Sequence, residues 1–173
     1  MWIASDYADY VIDFLHALGP NTHVIAVCQP SVPVVAAVSV MEAARDPFVT
    51  HLGIRFREGG PGTATVALTL QPQHINFNGT CHGGVTFALA DTAFGLASNS
   101  HGVIAAGIDA HITYQNAAYA GQTLVARAVE VSRSRKLAVY RVDVTREDGT
   151  MISSFTGTVY VTSKPNEPAQ DKI

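Results

Sequence analysis

Residues 74–102 read HINFNGTCHGGVTFALADTAFGLASNSHG, and this stretch decides the fold. A loop passes through the pair Gly83-Gly84 into a long, nearly uncharged helix, expected from about Gly83 to Ser100. A surface helix would show a polar face, so a helix this apolar belongs inside the protein. It carries one carboxylate, Asp91. A lone aspartate is costly to bury without a partner or a task. A glycine pair at a helix start leaves free backbone N–H groups, which suit a developing negative charge. Acid and oxyanion site together make half of a hydrolase.

The flanking sequence alternates like strands. Phe48–Leu52 predicts a short helix after Pro47. Gly53–Arg57 and Thr63–Gln71 predict two strands, with Glu58-Gly-Gly-Pro-Gly62 as their turn. Four more runs follow the long helix: Ala105–Tyr114, Thr123–Ser132, Leu137–Arg146 and Met151–Thr162. Asp148-Gly149 separates the last two, and such a pair tolerates the positive φ angles of a tight hairpin. Strands, one buried helix and a meander of strands predict an α+β domain, an antiparallel sheet curled around a central helix.

The 173 residues suffice for one domain with a sizeable core. At 47% hydrophobic and 14% charged residues, the composition is that of a globular chain rather than a disordered one. A net charge of −3 argues against a nucleic-acid partner. Cys28 and Cys81 form no disulfide framework, so a reducing cytoplasm is the expected compartment. Asp6, Asp9 and Asp13 sit where a secretory signal needs positive charge. Val24–Val40 is apolar, but Gln29, Pro30 and Pro33 interrupt it, so no membrane span is expected. Residues 1–40 differ in composition from the remainder of the chain. Asp6–Leu18 predicts a short helix that Gly19-Pro20 ends. The segment reads either as an appended or mis-started extension, expected to be dispensable, or as a genuine cap. The domain is expected over 41–163, and 164–173 as a polar, fraying tail.

The run His82-Gly-Gly-Val-Thr-Phe-Ala-Leu-Ala-Asp-Thr-Ala-Phe94, followed by Asn99-Ser-His-Gly102, closely resembles the PaaI-type acyl-CoA thioesterases of the hotdog fold. The resemblance extends from about Asp46 to Ser163 and includes Gly107-Ile-Asp-Ala-His-Ile-Thr-Tyr114. It implies that Asp91 is the nucleophile or general base toward a thioester. It implies that the N–H of Gly83 polarises the thioester carbonyl, that Asn76 positions water or that carbonyl, and that His82 orients the loop. Part of the family carries an auxiliary hydroxyl two residues before the strand aspartate; this chain has Gly107 there. The resemblance also implies coenzyme A as part of the substrate, with no separate cofactor. Arg133, Arg135 and Lys136 suit its phosphates by charge and hydrogen bonding, or form a solvated basic turn. Aryl-acetyl or hydroxyphenylacetyl thioesters are the favoured substrates, with medium-chain acyl-CoA also open. A dehydratase acting on 3-hydroxyacyl thioesters and a non-catalytic acyl-CoA-binding protein are the rival functions.

Gly83 and Asp91 stand eight positions apart, about 12 Å along a helix axis. Acid and oxyanion donor must both lie within about 3 Å of the reacting atoms. One helix cannot bring them together, whereas two antiparallel helices across a twofold axis can. A homodimer with shared sites is therefore expected, and the resemblance implies a further pairing into a tetramer. His74, His82, His101 and His111 fit no common zinc spacing, so no metal is expected. Cys81 and His82 are adjacent, a poor geometry for a thiol–imidazole pair, and no third member is evident. Thr92 and Ser100 are further hydroxyls near the acid with no role assigned by the sequence.

Overall fold

The structure, a computed structural model, describes residues 46–166 together with Ile12, Asp13 and Ala17. Those three are helical; the rest of the helix expected over Asp6–Leu18, and of residues 1–40, lies outside the described residues, as do 167–173. The described part opens with α1 (Pro47–Leu52), where Asp46 caps the N–H groups of Phe48 and Val49 and Gly53 closes the helix in the left-handed region. Strands β1 (Arg55–Gly60) and β2 (Thr63–Thr69) form a hairpin. A 3-10 turn (Pro72–His74) and a loop lead into α2 (Gly83–Asn99), and β3 (Val103–Tyr114), β4 (Thr123–Arg133), β5 (Leu137–Arg146) and β6 (Met151–Pro165) follow. No helix among the described residues is long and apolar enough to cross a membrane.

The six strands make one sheet in the order β1-β2-β4-β5-β6-β3, every neighbouring pair antiparallel. Only β4, β5 and β6 form the expected meander. Strand β3 crosses with the helix to the far edge and pairs with β6, while β4 returns to β2. The turn expected over Glu58–Gly62 is also shorter than its sequence suggests. Glu58, Gly59 and Gly60 stay in the ladder opposite Thr65, Ala64 and Thr63, and Gly62 alone supplies the left-handed turn conformation. Strand β6 runs to Pro165, so the polar tail begins later than expected.

Helix α2 lies on one face of the sheet. Leu89, Ala90, Ala93, Phe94 and Ala97 are buried against Val66, Leu68, Leu124, Tyr140, Val142 and Phe155. The ring of Phe94 packs edge-on to Tyr140 at 5.7 Å and against Phe155 at 5.4 Å, and Phe87 reaches Phe155 at 5.6 Å. Two glycines seat that ring: a Cβ on Gly157 would come within 2.8 Å of it, and one on Gly107 within 3.3 Å. The expectation of a helix enclosed on most sides holds for this face. It fails for a stripe of the helix: Gly84 and Asp91 are exposed and Gly95 is only half-buried. Beside the helix, the consecutive residues Ala106–His111 of edge strand β3 are exposed, Ile108 by 59%.

The run Asn99-Ser-His-Gly102 rivets the end of α2. The amide of Asn99 both donates to and accepts from the backbone of Ala105 in β3. Ser100 accepts from the N–H of Gly62 at 2.8 Å. Nε2 of His101 lies 2.9 Å from Oε2 of Glu130 in β4. That same oxygen accepts from Nε of Arg133 at 2.8 Å and from the hydroxyl of fully buried Tyr140. Burial works against ionisation of Glu130, but the hydrogen bonds from Tyr140 and Arg133 and the nearby positive charge overcome it and hold its carboxyl below the ordinary value. A lowered carboxyl pKa stabilises the fold above the ordinary carboxylate range, and that stabilisation is lost as pH falls through the lowered value. Glu130→Gln is expected to cost about 1–3 kcal/mol at neutral pH, because Arg133 and Tyr140 lose an ionised acceptor. Denaturant titration should show the gap between variant and wild type closing in acid.

Candidate active site

The site is built at the start of α2. The backbone of Asn76 accepts from Gly79 and donates to Thr80. Its side-chain oxygen accepts from the N–H groups of Asn78 at 2.8 Å and Thr80 at 3.3 Å. Nδ2 donates to the hydroxyl of Thr80. Asn76 therefore folds the 76–80 loop on itself, and an amide carries two donors, so one N–H of Nδ2 stays uncommitted among the described hydrogen bonds. Buried His74 anchors the loop from below: its Nδ1 accepts from Gln71, and its carbonyl accepts from the N–H of His82 at 2.8 Å. Burial, with the neighbouring His51, holds its imidazole pKa below the usual value.

His82 is the N-cap of α2, and its Nδ1 accepts from the N–H of Gly84 at 2.9 Å. The N–H groups of Val85 and Thr86 turn back to the carbonyl of His82. Of the orphan donors at this helix start, the N–H of Gly83 is left unpaired among the described hydrogen bonds. Neither glycine has a positive φ, so conformational freedom does not explain them. Space does for Gly84, where a Cβ would lie 3.0 Å from Nδ1 of His82, whereas one on Gly83 would meet the ring of Tyr114 only at van der Waals distance, 3.4 Å. Gly84 lets the imidazole fold over the helix end.

A cleft of about 330 Å³ opens at that point, lined by Thr80, Cys81, Gly83, Thr86, Tyr114 and Asn116 among others. Asp91 is not part of its wall. About two helical turns on, Asp91 projects from the exposed stripe of α2 and makes no hydrogen bond or ion pair among the described residues. Although it reaches solvent in the single chain, apolar surroundings desolvate the carboxyl enough to raise its pKa above the ordinary value. A base needs such a value, and an ion-paired structural carboxylate would show the opposite shift.

The other candidates separate. Thr92 donates to the carbonyl of Ala88 and buried Ser100 to that of Ala97, both within the helix. The thiol of Cys81 contacts the hydroxyl of Thr86 at 3.4 Å, not an imidazole, and burial raises its pKa, the wrong direction for a nucleophilic thiolate. The basic cluster also divides. Arg133 lies inside β4 with its guanidinium on Glu130 and Tyr140, whereas Arg135 is exposed and Lys136 reaches the hydroxyl of Tyr160 at 3.0 Å. The charge pattern could not reveal this, since the acceptor Glu130 sits across a bulge in the same strand. Tyr114, whose hydroxyl donates to the carbonyl of Gly83, is the site residue that the sequence did not single out. Its position at the end of an alternating strand carries no mark of what it faces.

The chain matches the model of the Thioesterase superfamily over residues 78–153. It is 34% identical over 112 residues to the acyl-coenzyme A thioesterase PaaI of Escherichia coli, covering 65% of this chain and 80% of that protein. It superposes on the phenylacetic acid degradation protein PaaI of Thermus thermophilus, solved as a variant, with a TM-score of 0.64 and 44% identity over 66% of this chain and 98% of that one. A Streptococcus mutans protein solved with acetyl-CoA bound gives a TM-score of 0.63 at 28% identity, over 65% of this chain and 91% of its own.

Asp91→Asn is expected to lower kcat at least about a hundredfold, as for loss of an acid–base or nucleophilic group. Its effect on stability should be opposite. A raised carboxyl pKa adds stability only in acid and subtracts it once the group ionises, so at neutral pH the variant should melt at the same temperature or higher. The difference should shrink as pH falls through the raised value and vanish below the ordinary carboxylate value. A melting series from pH 3 to 8, run beside the rate measurement, checks both signs.

Proposed function

We propose, from the premise that this chain belongs to the thioesterase superfamily and is a PaaI-type acyl-CoA thioesterase of the hotdog fold, that it hydrolyses aryl-acetyl or hydroxyphenylacetyl thioesters of CoA to the free acid and CoA. The observation that carries the catalytic assignment is the pairing of an unpartnered, desolvated Asp91 with the one open N–H at the start of the same helix, Gly83. In this reading the N–H of Gly83 donates a hydrogen bond to the thioester oxygen as negative charge develops on it. Asp91 either attacks the carbonyl, forming a mixed anhydride, or takes a proton from water. The free N–H of Asn76 steers the water or the carbonyl, and His82 serves by capping, which keeps the Gly83 amide in place.

The two groups come from different chains. The cleft at Gly83 lacks an acid of its own, and the stripe bearing Asp91 adjoins an edge strand exposed on both faces. An edge that long is a ready template for a second copy. Antiparallel pairing of two β3 edges would cover Ile108 and set Gly83 of one protomer opposite Asp91 of the other. Arg135 and Lys136 stand beyond the C-terminal end of α2, away from Gly83 of their own chain; in such a dimer they serve the partner's site, holding the phosphates of CoA. Arg133 supports them from within the strand. A second pairing gives the tetramer. We place the enzyme in the cytoplasm, where a free thiol such as Cys81 persists.

A panel of phenylacetyl, hydroxyphenylacetyl and medium-chain CoA esters tests the substrate. Thiol release fastest on the aryl-acetyl esters supports the proposal. An enoyl product from a 3-hydroxyacyl ester, or saturable binding without turnover, would replace hydrolysis with dehydration or sensing. For the shared site, Gly83→Val and Asp91→Asn are each expected to be nearly inactive. Reassorting them should restore one intact site in each mixed dimer, raising activity toward about a quarter of wild type in a random mixture. Mixed dimers with no gain would place both groups of a site in one chain.

A further inference from the structure

Four hydroxyl side chains lie on α2 and its C-terminal cap, and three of them spend their protons on the helix. Thr92 donates to the carbonyl of Ala88 at 2.7 Å, Ser98 to that of Gly95 at 3.1 Å and Ser100 to that of Ala97 at 2.7 Å. Thr86 does not. The carbonyl one turn before it belongs to His82 and already takes the N–H groups of Val85 and Thr86. Thr86 is only 2% exposed, yet its hydroxyl has a sulfur as its partner among the described residues, Sγ of Cys81 at 3.4 Å. The thiol gives its own proton to the carbonyl of His82 at 3.6 Å, so it meets Thr86 as an acceptor. Thiol sulfur accepts weakly, which leaves a buried hydroxyl with a poor partner.

Thr86 and Cys81 both line the cleft that opens at Gly83, and Ala117, Ala118 and Ile152 give it small or apolar walls. Thr86 stands three positions after Gly83, about 4.5 Å further along the helix axis. A thioester held by the N–H of Gly83 has two arms. The CoA arm is long and charged, and in the dimer described above its phosphates go to the basic turn at Arg135 and Lys136 of the other protomer. The acyl arm is the short one, and the cleft of about 330 Å³ beside Gly83 has room for it. Alanine and isoleucine walls suit an aromatic ring. A hydroxyl on that ring, once out of water, needs a hydrogen-bond partner there.

We propose that this cleft seats the acyl group and that Thr86 is its specificity residue: the Thr86 hydroxyl leaves the sulfur of Cys81 for the oxygen of a hydroxylated aryl ring. The exchange replaces a sulfur acceptor by an oxygen, so it favours the hydroxylated ester. An ester without that oxygen leaves Thr86 on Cys81 rather than stranded. The discrimination is therefore modest, unlike that of a site whose buried donor loses every partner with the wrong substrate. The inference rests on the thioesterase reading for the identity of the ligand, and it adds the residue that reads the ring.

Thiol release from the ortho-, meta- and para-hydroxyphenylacetyl esters of CoA, each set against phenylacetyl-CoA, tests it in the intact protein. One or more of the hydroxylated isomers is expected to be preferred in kcat/KM. Thr86→Val, which puts a methyl where the hydroxyl was, should lower that preference about threefold to tenfold, the worth of one neutral hydrogen bond. Thr86→Ser should retain it, which separates the hydroxyl from the packing of the helix. No preferred isomer, or a preference that Thr86→Val leaves unchanged, overturns the inference and leaves thioesterase activity standing. Calorimetric binding of the same esters to Asp91→Asn, and to the double variant that also carries Thr86→Val, needs no turnover. A preference for the hydroxylated ester in the first and not in the second, with a wild type that hydrolyses neither, refutes the thioesterase reading and keeps the role of Thr86. Esters neither bound nor cleaved overturn both.

Discussion

The seating of one phenyl ring governs this molecule. Phe94 lies in a notch that exists because β3 and β6 carry Gly107 and Gly157 where other strands would carry side chains. The ring is closed in by Tyr140 and Phe155, so the rotation of α2 about its axis and its depth on the sheet are set together. Asp91 precedes Phe94 by three positions, close to one turn. Once the ring is seated, the carboxylate is carried onto the exposed stripe of the helix. The rivet at the far end, from Asn99 to His101, then prevents the helix from sliding along the sheet. Position and rotation of one helix thus determine where both Asp91 and the Gly83 N–H lie.

The start of the helix solves a different problem, that of leaving one donor free without leaving the helix end frayed. A side-chain cap normally satisfies an orphan N–H, and here the imidazole of His82 does so for the second residue rather than the first. The acceptor must be Nδ1, which places the neutral ring's proton on Nε2. A protonated ring would face Gly84 with a donor instead of an acceptor. The histidine, the two glycines and the loop folded by Asn76 are therefore parts of one device. Each residue answers a steric or hydrogen-bonding need, and the open amide is what remains after those needs are met.

Much of this is legible in the residues alone. The apolar run from Gly83, the isolated aspartate and the strand alternation carry their own physical signals, and they set the bounds of α2 to within a residue. The path of β3 is not legible, because alternation reports that a residue lies in a strand and says nothing of which strand it joins. The turn at Gly62 looks longer than it is because Gly59 and Gly60 resemble turn residues; Gly59 is instead required by crowding, a Cβ there falling 2.9 Å from the carbonyl of Thr63. Arg133 groups with Arg135 and Lys136 by sequence because charge density is local, whereas the bulge in β4 turns it toward Glu130 and the β4–β5 pairing brings it Tyr140. Tyr114 carries no signal for the same reason: its meaning lies in a contact with a residue 31 positions away.

The notch under Phe94 also constrains how this chain can change over generations. A hydroxyl-bearing residue at position 107 would put its Cβ 3.3 Å from the ring, which is packed on its other sides by Gly157 and two aromatic neighbours. Serine or threonine there would need the ring to give by a few tenths of an ångström, and a smaller residue at 94 would relieve that need. A smaller residue at 94, arriving first, opens a void in the core that costs about 2–5 kcal/mol. The two positions are thus coupled through one ring. The glycine at 107 thus goes with its neighbour's bulk, and the absent hydroxyl and the seated ring are one packing choice.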